Sequence, residues 1–208
     1  LADASGVDSP LVDELFAVPQ QGLFDGWLVA VRPRASWWSR LLAPTRAARL
    51  SLVGAGEPLY LNDSDQYAEL GATALFRHAG LTFRGQRTVI DLPEALRPRD
   101  MSDWSIAVDE RGTALLAVTN RYSGAECGSF RRRFREMTPE MRSRHFQELV
   151  GAISQAAEAL GDPVTDLEAY PGVLSYQVRA PRFAARDGNA LTLTLPDPPA
   201  PLWALRAD

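Results

Sequence analysis

The sequence predicts a β-rich α+β fold, with an antiparallel sheet carrying helices on one face or at one end. Three observations predict it. Trp104, Ile106 and Val108 alternate with Ser105 and Ala107, turn at Asp109-Glu110-Arg111-Gly112, and return through Thr113–Tyr122 as a hairpin. Phe146, Leu149, Val150, Ile153, Ala157 and Leu160 then fall at helical spacing on one face. Two further alternating runs follow, Leu174 to Ala180 and Leu191 to Leu195. The resulting order is strand, strand, helix, helix, strand, strand.

The first half reads as strands and loops. The opening LADASGVDSP fits the end of a helix stopped at Gly6. LFDGWLVAV, residues 23–31, is long enough for a buried strand. It is apolar at both alternations, so both of its faces expect cover. Residues 32–47, with Trp37 and Trp38, read as an exposed excursion. The tryptophans fit local packing better than an interfacial role. Arg49–Val53 and Pro58–Leu61 form a hairpin signature around Gly54 and Gly56, and Arg87–Leu92 is one more strand. The two prolines and mixed charge of DLPEALRPRD, residues 91–100, place a boundary there, giving parts 1–95 and 96–208.

In the second half the helical block spans about 129–160. A short basic helix covers Ser129–Glu136. Thr138 caps a longer one over about 139–160, with Pro139 at its first position and Gly161 as its stop. Ile153 belongs to the buried face and Gln155 to the exposed one.

Composition removes whole classes of function. At 208 residues the chain holds one or two domains. With 46 % hydrophobic and 23 % charged residues it is globular. No apolar run approaches the ~18–20 residues of a membrane span. All 22 basic residues are arginine, which excludes lysine-based chemistry. A net charge of −4 with a pI of 5.3 argues against nucleic-acid binding by overall charge. Cys127 alone forbids an internal disulfide, and with only His78 and His145 beside it a Cys/His zinc cluster is excluded. The start shows no export signal and no Met, so the chain reads as a mature form or a fragment.

Several residues invite chemistry and fit simpler roles better. Cys127, in GAECGS, precedes a helix, where a thiol could be activated. The candidate bases His78 and His145 lie in no motif, and a buried thiol fits better. Arg131, Arg132, Arg133 and Arg135 could bind phosphate or an acidic partner. On a helix they spread around the cylinder, and Glu126, Glu136 and Glu140 can neutralise them as a solvated face. Asn62, Asp63, Ser64 and Asp65 resemble a calcium loop. The sixth and twelfth positions from Asp63 are Ala68 and Ala74 rather than Gly and Glu, so the pattern fails. Trp104, Tyr122 and Tyr176 could serve a carbohydrate- or peptide-binding sheet, although their alternation points them into a core. No catalytic, cofactor-binding or metal-binding residue is expected.

The stretches LADASGVDSPLV, FDGWLVAV and EPLYLNDSDQYAELG resemble the later half of a bacterial transglutaminase-like, papain-related domain. TPEMRSRHFQELV and NALTLTLP resemble the β-rich C-terminal module, sheet or sandwich, that follows this core. The resemblance implies a nucleophilic Cys on a helix upstream of Leu1, a catalytic His and an Asp. Here the His position is Gly26, in Phe24-Asp25-Gly26, and the Asp position is Asn62, in Tyr60-Leu61-Asn62-Asp63-Ser64. Glycine accepts no proton, whereas Asn would be tolerable. Asp25 and Asp63 are one residue off, on the opposite face of any strand. The resemblance therefore implies a degenerate, non-catalytic protein acting as a structural or binding module, in the periplasm or cell envelope. The rival is part of a cysteine peptidase or amide transferase whose Cys lies upstream. The expected partner is the upstream part of the parent protein or another protein. The apolar strand at 23–31 expects cover from the 32–47 excursion, the second domain or another copy, which favours a monomer over a homodimer.

Overall fold

The computed structural model describes residues 28–31, 58–61, 65–82, 85–188 and 190–193. The chain divides into two compact units, Leu1–Pro98 and Arg99–Asp208.

In the first unit, β1 (Val29–Val31) pairs antiparallel with β2 (Leu59–Leu61), Val29 opposite Leu61. β3 (Ala79–Leu81) pairs antiparallel with β4 (Arg87–Val89), and a 3-10 turn follows at Glu94–Leu96. Leu59, Ala72, Ala79, Ile90, Leu92 and Leu96 are buried there. Arg97 ties the end of this unit together. Its Nη1 donates to Glu94 Oε2 at 2.6 Å, and its guanidinium stands 5.7 Å from the centre of the Phe76 ring.

Two expectations for this half are corrected. The described end of the 23–31 strand is not buried on both faces: Val29 and Ala30 are exposed, at the edge of a two-stranded ladder. The strand expected over Arg87–Leu92 is regular only to Val89. Ile90 then donates to the His78 carbonyl at 3.0 Å, and Leu92 turns into the core. Leu59–Leu61 finds its partner in Val29–Val31. Its expected partner, Arg49–Val53, lies outside the described residues, as do the opening helix end and the 32–47 excursion.

The second unit is built on one antiparallel sheet. β5 (Arg99–Val108) and β6 (Ala114–Ser123) form the expected hairpin, with Trp104 opposite Val118. Asp109 organises the turn: its Oδ1 accepts from the Arg111 and Thr113 amides at 2.8 and 2.9 Å. Gly112 closes the turn at φ +79°, where a side chain is strained and a Cβ would strike the Ala184 carbonyl oxygen.

Two helices follow, α1 (Ala125–Glu136) and α2 (Pro139–Ile153). The chain then forms β7 (Glu158–Ala159), β8 (Val164–Asp166) and β9 (Gly172–Ala180). β9 lies antiparallel to β6, and β7 and β8 both pair with β9. A separate hairpin of β10 (Ala184–Asp187) and β11 (Ala190–Leu193) ends the described chain.

Strand alternation decides where the core sits. On β6, Ala114, Leu116, Val118, Asn120 and Tyr122 point to one side, and on β9 Leu174, Tyr176, Val178 and Ala180 join them. Both helices cover this face through Cys127, Phe130, Phe134, Val150 and Ile153. Phe130 stacks on Tyr122 with ring centres 4.5 Å apart, and Phe146 meets Tyr176 edge-on at 5.7 Å. Such aromatic pairs add ~0.5–1.5 kcal/mol beyond the area they bury. On the opposite sheet face Met101 and Leu115 are exposed, and among the described residues no helix packs there.

The helical block differs from expectation at both ends. α1 begins at Ala125, four residues earlier than Ser129, from a Gly124 hinge at φ +57°. α2 starts where expected: Thr138 Oγ1 accepts from the Met141 amide, and Pro139 opens the helix. However, it stops at Ile153, not near residue 160. The sheet edge takes the remainder. Glu158 and Ala159 pair with β9, and the Leu160 amide donates to the Gln177 carbonyl at 2.9 Å. Backbone pairing at an open edge outweighs two more apolar positions of helical period. Gly161, at φ +85°, lies beyond β7 rather than at a helix end. Leu191 and Leu193 alternate as expected but are exposed, because their strand joins β10 and not the main sheet.

Candidate functional site

The positions that carried the expectation of lost catalysis, Gly26 and Asn62, lie outside the described residues, as do Asp25, Asp63, Trp37 and Trp38. Asp65 is described. Its Oδ1 accepts from the Tyr67 amide at 2.9 Å in a local turn. Among the described residues no group of three or more His, Cys, Asp or Glu side chains could hold a metal ion.

Cys127 sits in the first turn of α1, the position that favours an activated thiol. It is nevertheless fully buried, at 0 % exposure. It belongs to the same core cluster as Phe130 and Tyr122, close to the backbone of Gly172. The candidate bases serve other roles. His145 packs edge-on to Phe134 at 5.9 Å, and His78 Nδ1 lies 3.3 Å from the Phe76 carbonyl within the other unit.

The arginine run is a correction to the sequence reading. Arg131 is not on a solvated face: it is buried, and its Nε donates to the Leu167 carbonyl at 2.8 Å. Its Nη2 donates to the Ala169 carbonyl at 3.2 Å. It therefore clamps the backbone that leads into the cis Tyr170–Pro171 peptide and β9. Arg135 adds an ion pair to Glu168 in the same segment. Helical period explains the difference, since residues 127, 130, 131 and 134 form the stripe turned to the sheet. The guanidinium, which forks to two carbonyls, suits this role better than an ammonium.

The remaining polar groups form a seam between β5 and α1. Asp100 projects from the helix-covered side of β5, opposite Tyr122. Glu126 and Arg133 lie seven residues apart on α1, hence on one flank. Burial pushes the Asp100 carboxyl above its ordinary range, and Arg133 pulls it back. Burial also raises Glu126, with Asp100 adding to the rise and Arg133 opposing it. Burial raises Tyr122 strongly, helped by the Asp100 charge. His145, on α2, is held below its ordinary value by burial and then by Arg133. Next to the seam, Ser102 Oγ donates to Asn120 Oδ1 at 2.8 Å, which satisfies a fully buried amide oxygen.

This seam was missed as a unit by sequence reasoning. Its one legible signal is Asp100 in the series Asp100, Ser102, Trp104, Ile106, Val108, where a charge occupies a core-facing alternation. Tyr122 and Tyr176 are buried and Trp104 packs against the core, as their alternation required. No family model, curated protein or solved structure matches the chain.

Proposed function

We propose that this chain is a non-catalytic structural or binding module, a degenerate relative of transglutaminase-like proteins. The observation that carries the reading is that Cys127, the one thiol in this sequence, is buried at 0 % exposure and so supplies no alternative nucleophile; the nucleophile the resemblance implies lies upstream of Leu1 and is not Cys127. A thiol nucleophile must reach a carbonyl carbon to about 3–3.5 Å. Cys127 has no exposed surface from which such an approach could be made, and β9 passes close to Sγ at Gly172. Gly26 and Asn62, at the family's His and Asp positions, support the same reading from sequence. The test is direct. The purified chain is expected neither to incorporate a primary amine into a glutamine donor nor to cleave casein. Cys127 is expected to resist alkylation until the chain is unfolded. Thiol-dependent turnover that disappears in Cys127→Ala would overturn the reading.

A further inference from the structure

β5 stands at the end of the sheet order, and among the described residues its outer edge carries no strand. It is ten residues long. An open edge of this length is a ready template for another strand. Its outward alternation, Arg99, Met101, Asp103, suits self-pairing. In a two-fold antiparallel register centred on Met101, Arg99 of each copy would face Asp103 of the other, and the exposed Met101 side chains would meet. The shared apolar contact favours that register; Asp103 is already ion-paired with Arg121 on β6, so Arg99 of the other copy would join that pair.

The inward alternation opposes it. Asp100 is a carboxylate where the pattern calls for an apolar or neutral residue. Its cross-strand neighbour is a buried tyrosine, and among the described residues it makes no hydrogen bond or ion pair. Arg133 attracts it only at longer range, and burial outweighs that attraction. A strand docked on β5 would shut its remaining access to water. In the self-pairing register, each Asp100 would also come diagonally opposite its copy, about 7–8 Å away, with Glu126 adding negative charge nearby.

We propose that Asp100 is an edge guard, whose inward-pointing carboxylate prevents a second copy of this chain from pairing its own β5 with this one. Inward-pointing charge is one of the devices by which sheet proteins blunt open edges. Light scattering behind a sizing column, over a wide range of concentration, tests it on the full chain. The wild type is expected to stay a monomer. Asp100→Val is expected to double in mass as concentration rises, and Asp100→Asn to shift the same way more weakly. Asp100→Val/Met101→Lys, which places two ammonium groups face to face in the proposed register, is expected to return to a monomer. Asp100→Asn keeps the size of the side chain, so it carries the test if the valine variant fails to fold by circular dichroism. Variants that fold and remain monomeric would overturn the proposal. So would a dimer indifferent to Met101→Lys, or a wild type that already dimerises through β5. A structural role for Asp100 predicts the reverse pattern, a lower melting temperature in Asp100→Asn with no change in mass.

Discussion

Gly172 and Phe130 provide the sharpest test of the packing argument. A Cβ built on Gly172 would sit 2.7 Å from Phe130 Cδ1, 3.0 Å from Cε1 and 3.4 Å from Cys127 Sγ. The first two distances are below ordinary carbon contact, and the ring has nowhere to retreat. It is 2 % exposed and stacked on Tyr122, with Phe134 tilted against it at 4.9 Å. Forcing a methyl into such a site costs ~1–3 kcal/mol. Because Gly172 is not in the left-handed region, alanine recovers ~0.4–1 kcal/mol by restricting the unfolded chain. Gly172→Ala is therefore expected to destabilise by about 1–2 kcal/mol. The control is the same substitution in a Phe130→Val background, where Cδ1 and Cε1 have no counterpart. There Gly172→Ala should be neutral or stabilising, giving a coupling of ~1–2 kcal/mol in a double-mutant cycle. Denaturant midpoints of the four proteins measure it. Equal costs in both backgrounds would refute the close approach of β9 to α1.

Two further expectations concern α2. Ile153→Ala should destabilise by about 2–5 kcal/mol, because Ile153 closes the core at the helix end, while Gln155→Ala, exposed past that end, should change the stability read from the denaturant midpoint by less than ~0.5 kcal/mol. His145 should make the fold acid-sensitive. Its folded value lies below 6.5, from burial and Arg133 against the weaker pull of Glu148, so the native state binds fewer protons than the unfolded chain in that window. Its contribution is fully present above 6.5 and lost as pH falls through the folded value. Asp100 and Glu126, raised by burial, act in the opposite sense: stability rises as pH falls through their folded values. The His145 part is isolated by comparison with His145→Gln between about pH 7.5 and 5.5. Wild type should lose midpoint relative to the variant across that range, and parallel curves would remove His145 from the account.

Particular elements show why sequence went as far as it did. The β5–β6 hairpin was legible because alternation, a turn led by Asp109 and a positive-φ glycine all agree locally. The start of α2 was legible for the same reason, a Thr cap followed by Pro. The end of α2 was not, because the chain there chooses between helix and sheet by what β9 offers, and that strand lies far along the sequence. Arg131 was misread for a related reason. Its partners are the carbonyls of Leu167 and Ala169, and no local pattern reveals backbone acceptors 36 and 38 residues away. The seam of Asp100, Glu126 and Arg133 joins a strand to a helix in the same way, and the only sign of it in the sequence is the charge of Asp100 at a core-facing alternation.

The position of Cys127 shows how two local rules are settled by a third. A thiol in the first turn of a helix lies where the helix field favours negative charge, by ~0.3–1 kcal/mol at ordinary sites. The same turn is tied to the core by neighbours on either side. The Gly124 amide donates to Tyr170 Oη at 2.9 Å, and Phe130, one turn further on, is locked against Tyr122. Exposing Sγ would mean lifting this turn off β9 and giving up the burial of Phe130, worth ~1.5–3 kcal/mol for one such side chain. The packing term exceeds the helix-field term, so the thiol stays closed under the sheet. A nucleophile carried on this element would need a smaller residue than Phe130 or a shorter approach than β9 makes at Gly172. This helix start serves the packing of α1 on β9.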